Sequence, residues 1–183
     1  MKSFFSEAIK SIKTTGSIKP SSKHLVKNCL SGLAINNADV IIEFGPGNGC
    51  FTEEIVNGIS SSTRLYAFEI NSVFYNYCKS KYASYNNIFI LNQSALDLDL
   101  ILREQSIEKV DFIISSLPLA ILKEEEKKSL LGKIKRNLKE GGVFVQYQYS
   151  LGSLKELKSF FRRVDIELII RNLPPAFIYK CYV

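Results

Sequence analysis

After residue 38 short apolar runs alternate with longer amphipathic stretches, the pattern of βαβ units around a mostly parallel sheet. The spacing predicts strands at Val40 to Phe44, Leu65 to Glu69, Ile88 to Leu91, Val110 to Ser115, Val143 to Tyr149, Val164 to Ile170 and Phe177 to Tyr182. Helices are predicted at Phe51 to Ile59, Ser72 to Lys81, Asp97 to Glu104, Glu124 to Leu138 and Ser153 to Phe161. The Gly141-Gly142 pair predicts a helix end running directly into a strand. Only Asn172 to Ala176 separate the last two strands, too few residues for a parallel crossover, so an antiparallel hairpin is predicted. The fold class that follows is α/β, doubly wound, with a seven-stranded and mostly parallel sheet.

Ahead of the sheet, Phe4, Phe5, Ala8, Ile9 and Ile12 fall at helical offsets while Lys2, Glu7, Lys10 and Lys13 fall between them. That spacing predicts an amphipathic helix. A second helix is predicted after Pro20-Ser21-Ser22, where a serine can cap the first turn. No repeat or linker divides the chain. Residues 1–30 are read as a helical entry segment of the same domain that residues 31–183 build.

With 183 residues, 46% hydrophobic and 23% charged, the chain can bury a core without staples, which excludes a disordered class. Cys29, Cys50, Cys78 and Cys181 include no close pair. This argues against a zinc site or a disulfide framework, so no metal is expected. No apolar run is long enough to span a membrane, and no signal peptide is visible. A cytoplasmic protein, peripheral at most, is expected. The net charge of +6 is uneven, because Lys2, Lys10, Lys13, Lys19, Lys23 and Lys27 face only Glu7 within residues 1–28. Such asymmetry suits an anionic partner, either nucleic acid or the head groups of an anionic membrane surface.

The candidate chemistry begins at Glu43-Phe44-Gly45-Pro46-Gly47-Asn48-Gly49. Glycines between a strand and a helix let backbone amides approach a ligand and turn tightly, although similar turns also serve packing. Glu43 ends the strand before them, and Glu69 ends the next strand, where a carboxylate can accept from both hydroxyls of a ribose. The Gly47-x-Gly49 spacing differs from that of dinucleotide binders.

On these residues the chain resembles the class I S-adenosylmethionine-dependent methyltransferases of Rossmann-like fold. Among them it is most similar to the bacterial phospholipid N-methyltransferases and their relatives the ribosomal RNA adenine dimethyltransferases. The resemblance runs through TGSIKPSSKHL, EFGPGNGCFT, FEIN, NQSALDL, DFIISSLPL and RNLPPAFIY. It implies S-adenosyl-L-methionine as cofactor, lying across the carboxyl ends of the first strands. Carried over, Ile18, Ser21 and Ser22 form the entrance, and Glu43, Gly45, Gly47 and Gly49 surround the methionyl part. Glu69 holds the ribose, Ile70 packs on the adenine, and Ser94 and Ala95 stand where such enzymes have Asp-Ala. Ser94 is a departure, since a hydroxyl carries no charge.

The turn after the fourth strand bears on the acceptor. Enzymes that methylate a base amine present Asn or Asp before Pro-Pro-Tyr or Leu-Pro-Tyr, the aromatic ring stacking on the flipped base. Here the run is Ser115-Ser116-Leu117-Pro118-Leu119, lacking both amide and ring and matching the Ser-x-Leu-Pro of the phospholipid enzymes. Ser115, Ser116, Leu117 and Pro118 are therefore candidate catalytic residues, with Tyr149 as a head-group contact through its ring or hydroxyl. His24, the one histidine, is as readily a surface group. The expected activity is methyl transfer to the amine of phosphatidylethanolamine or its methylated forms. A monomer on the inner face of the membrane is expected, with nucleic acid a weaker candidate partner. Methylation of RNA or a small amine, and a non-catalytic cofactor- or lipid-binding module, remain as rivals.

Overall fold

The computed structural model describes residues 22–172 and 174–183. Its seven strands are β1 (Val40–Phe44), β2 (Arg64–Phe68), β3 (Ile88–Leu91), β4 (Val110–Ser115), β5 (Leu138–Gln148), β6 (Arg163–Ile169) and β7 (Ala176–Tyr182). They form one sheet in the order β3-β2-β1-β4-β5-β7-β6. β1 to β5 run parallel, and β7 enters antiparallel between β5 and β6. The predicted hairpin is present. The architecture is the Rossmann-like class I methyltransferase fold.

Among the described residues six helices accompany the sheet: α1 (Lys23–Leu30), α2 (Cys50–Gly58), α3 (Ser72–Lys81), α4 (Leu98–Glu104), α5 (Glu124–Asn137) and α6 (Leu154–Phe160). Ser22 caps α1 as predicted, its hydroxyl accepting from the Leu25 N–H at 3.2 Å. The amphipathic helix predicted from Phe4 to Ile12, most of the lysine-rich segment, and the candidate residues Ile18 and Ser21 lie outside the described residues.

Central strands of a parallel sheet are covered on both faces and so read as continuous apolar runs. β1 is buried at all five positions. Two cores follow from the alternation. Ile42, Phe44, Phe68, Ile113 and Phe144 pack under α4, α5 and α6. Ile41, Leu65, Ile114, Val145 and Tyr147 pack on the other face with α1 and α2.

The Gly141-Gly142 pair corrects the expectation of a helix end. α5 closes at Asn137, and the glycines lie inside β5, where its register on β4 shifts between Val110 and Phe112. Gly141 takes φ +76°, and a Cβ on Gly142 would stand 2.9 Å from the Asp111 carbonyl. The pair permits a bulge. Asp111 itself ties the strand starts. One carboxylate oxygen accepts from the N–H groups of Asp39 and Val40, each at 2.9 Å, and Lys139 reaches both Asp111 and Asp39.

Among the described residues no helix is long and apolar enough to cross a membrane, and no cluster of side chains could hold a metal ion.

Candidate active site

The site is assembled at the carboxyl ends of β1, β2 and β4. Three glycines leave β1 with positive φ: Gly45 at +74°, Gly47 at +57° and Gly49 at +81°. Only glycine adopts such a succession without strain. Gly49 then caps α2 in the left-handed conformation.

Neighbouring elements hold this turn from several sides. The Gly45 N–H donates to the Phe68 carbonyl at 2.9 Å. Within α3, Cys78 donates from sulfur to the Gly47 carbonyl, and just after it the Tyr82 hydroxyl donates to the Gly49 carbonyl, both at 3.4 Å. Burial pushes the Tyr82 hydroxyl up to about 12, which keeps it a donor across the physiological range.

Glu69 follows directly on β2 and is almost fully buried. Its carboxylate accepts from the Gly47 N–H at 3.0 Å and from the Asn71 N–H at 2.8 Å. These are two of the roughly four bonds a carboxylate can accept. Asn92, after β3, donates from its side chain to the Glu69 carbonyl at 2.8 Å, and the Asn71 side chain caps α3. Glu43 ends buried beneath the turn and accepts from the Thr52 hydroxyl at 2.8 Å. Glu43, the three glycines and Glu69 are therefore brought together as predicted, with Ile70 half-buried against the core beside them.

Ser94 has a local task. It caps a 3-10 turn over Ala95–Asp97, its hydroxyl accepting from the Leu96 N–H while Asp97 accepts from the Ser94 N–H. Ala95 is buried.

The turn after β4 faces the glycines directly. The Ser116 hydroxyl donates to the Gly45 carbonyl at 2.5 Å, and its N–H donates to the Phe44 carbonyl at 3.0 Å. Ser115 is buried, its hydroxyl accepting from the Leu117 N–H at 3.2 Å. Pro118 leads into a second 3-10 turn, Leu119–Ile121. Both serines are thus engaged in holding the backbone.

Of the two tyrosines at the end of β5, Tyr147 within the strand and Tyr149 just after it, Tyr147 is core: its ring stacks on Phe51 at 5.4 Å. Tyr149 stands edge-on to it at 6.1 Å and is 46% exposed at the rim. His24 is exposed on α1.

Sequence reading missed Gln146. This side chain is fully buried on β5, beside Ser115 in register, and its amide N–H₂ donates to the Leu117 carbonyl at 2.9 Å and the Tyr147 carbonyl at 2.8 Å. Two carbonyl partners fix the amide's orientation. Its oxygen has no donor among the described residues, and neither has the Gln148 amide nitrogen an acceptor.

The arrangement fits an adenosyl ligand. A backbone cradle that excludes side chains lies beside an anchored carboxylate, since a Cβ on Gly45 would stand 2.8 Å from the Ser116 oxygen. Residues 20–130 match the family described as ribosomal RNA adenine dimethylase. Over 166 residues the chain is 29% identical to an ornithine lipid N-methyltransferase of Singulisphaera acidiphila, covering 90% of this chain and 86% of that protein. It is also 29% identical over 97 residues to the ribosomal RNA small subunit methyltransferase A of a Sulfurihydrogenibium species. That match spans 53% of this chain and only 36% of the relative's length. The solved N-methyltransferase NodS of Bradyrhizobium japonicum, in complex with S-adenosyl-L-homocysteine, aligns with a TM-score of 0.67 at 14% identity, covering 86% of this chain and 83% of that one. At that identity the likeness is one of fold.

Proposed function

Since the chain belongs to the ribosomal RNA adenine dimethylase family, and is thus an S-adenosyl-L-methionine-dependent methyltransferase, we propose that its acceptor is the amine head group of a membrane lipid. The observation that carries this reading is the turn after β4. Its two serine hydroxyls are tied to Gly45 and to the Leu117 N–H, and Leu119 stands where a base would need a ring to stack on. The similarity to a lipid methyltransferase along most of both chains supports the same acceptor class. Phosphatidylethanolamine, its methylated forms and an ornithine-headed lipid all belong to that class.

S-Adenosyl-L-methionine supplies an electrophilic methyl group. The protein's part is positioning, because in-line approach of an amine that has lost its proton is the main requirement of the transfer. Glu69 would accept from the ribose hydroxyls, the glycine turn would leave room for the methionyl part, and Ile70 would pack on the adenine. Ser115 to Pro118 form the wall against which the amine approaches, with Gln146 holding that wall through the Leu117 carbonyl and Tyr149 at the rim. Activity takes place at the membrane surface, on its cytoplasmic face.

Incubation of the full chain with methyl-labelled cofactor and either vesicles containing phosphatidylethanolamine, vesicles containing ornithine lipid, or small-subunit ribosomal RNA tests this reading. Label in a lipid fraction is expected. Label in RNA alone would replace the lipid with a base as acceptor.

A further inference from the structure

β5 and β6 both run antiparallel to β7, so their carboxyl ends lie together at the end of the sheet that carries the site. β6 is the outer strand. Ile166 and Leu168 lie on the face of β6 that shares the core with Tyr179 and Phe177, and Ile170 follows in the turn just beyond the strand. Val164, one step earlier on that face, is partly buried against the core. From there exposure climbs steadily towards the site end, through 42% at Ile166 and 51% at Leu168 to 74% at Ile170. Leu151, in the turn that leads into α6, is exposed as well.

An apolar stripe on an edge strand brings aggregation risk with no folding gain, and such stripes mark surfaces that meet something. The charges around it say what. Among the acids nearby, Glu156 is paired with Lys127 and Asp165 with Arg163. Lys155, Lys158, Arg162 and Arg171 form no ion pair among the described residues; Arg162 shares a pocket at the opposite end of the strand with Glu140, which leaves Lys155, Lys158 and Arg171 against Glu167. Lys155, in the first turn of α6, and Arg171, directly after Ile170, are the two at the site end.

We propose that this edge, Ile166-Leu168-Ile170 with Leu151, docks the enzyme on an anionic lipid bilayer. The apolar side chains enter the boundary between head groups and acyl chains, while Lys155 and Arg171 meet anionic head groups. The β4 turn then faces the same surface, and an acceptor reaches it without leaving the membrane. The inference rests on the lipid reading above but is tested separately from it.

The test is sedimentation of the full chain with vesicles of phosphatidylglycerol and phosphatidylcholine, which contain no amine to methylate. The triple variant Ile166→Ser, Leu168→Ser, Ile170→Ser should lose about tenfold or more in vesicle affinity. Tyr85→Ser, also exposed but in the loop after α3, should bind as the parent does. A Leu168→Cys variant carrying an environment-sensitive fluorophore should shift to the blue on adding vesicles. This second measurement covers a triple variant that fails to fold. Parent-like vesicle binding by the triple variant, or an unshifted fluorophore, would overturn the proposal. So would a concentration-dependent dimer of the parent, seen by analytical ultracentrifugation, that the triple variant loses. Methylation of a water-soluble head-group amine reports on the acceptor reading alone, so failure of docking and failure of that reading give different results.

Discussion

The hydroxyl of Ser116 donates to the carbonyl of Gly45 at 2.5 Å across 71 residues of chain, which joins the β4 turn and the glycine turn into one mechanical unit. Removing it in Ser116→Ala costs one hydrogen bond, about 1 kcal/mol. The affinity for S-adenosyl-L-homocysteine should fall about fivefold by titration calorimetry, with the thermal transition about 2–4 °C lower. Gly45→Ala should be worse, because it places a Cβ 2.8 Å from that same oxygen at φ +74°. A loss of about 1–3 kcal/mol in stability is expected from the forced conformation alone.

Glu69→Gln keeps the shape of the side chain but replaces one accepting oxygen with a donor. One of the two N–H groups now bonded, Gly47 or Asn71, then loses its partner, at about 1–3 kcal/mol. Cofactor affinity should fall at least about tenfold. An unchanged dissociation constant would remove Glu69 from the ribose role.

Gln146→Leu separates packing from positioning. An apolar side chain of similar size relieves the buried amide oxygen that has no donor, yet releases the Leu117 and Tyr147 carbonyls. The two effects oppose, so stability should stay within about 1 kcal/mol of the parent. The transfer rate should nonetheless drop about tenfold with cofactor affinity intact, as expected of a group that orients the acceptor wall. Equal losses in both would make Gln146 a structural residue only.

The ion pairs of Lys127 give a pH dependence. The hydrogen bond from Lys127 holds the Glu156 carboxyl below its ordinary value. Its contribution to stability is therefore present above the unfolded carboxylate value of about 4.3 and disappears as pH falls through the lower folded one. Burial alone would lower Lys127, but its bonds to Glu124 and Glu156 outweigh that and raise it. The lysine's contribution is accordingly full below about 10.4 and lost as pH rises through the raised value. Denaturant midpoints measured from pH 2 to 7 should show a shallower acid limb in Glu156→Gln, and identical limbs would contradict the pairing.

How much of this was readable in advance depended on how local each cause is. The strand-glycine-helix junction, Glu69 and the closing hairpin rest on neighbouring residues, and each was found within a residue or two of its place. Gly141-Gly142 misled because a glycine pair ends helices by the same freedom that lets a strand bulge, and only the Asp111 carbonyl packed against it decides between them. Cys78, Tyr82, Asn92 and Gln146 were invisible as site residues. Their partners lie 23 to 33 positions away in sequence, and no periodicity along the chain encodes those contacts.

Asp111 and Lys139 fasten β1, β4 and β5 at the strand starts, a full strand length from the glycine turn. Rigidity and recognition are thereby assigned to opposite poles of the molecule. The less buried loop positions at the reactive pole can be exchanged while the other pole keeps the strands in register, so a library confined to residues 120–121 and 149–152, which spares Ser116 and the buried Leu117, Leu119 and Leu122, should yield folded proteins that differ in what they methylate.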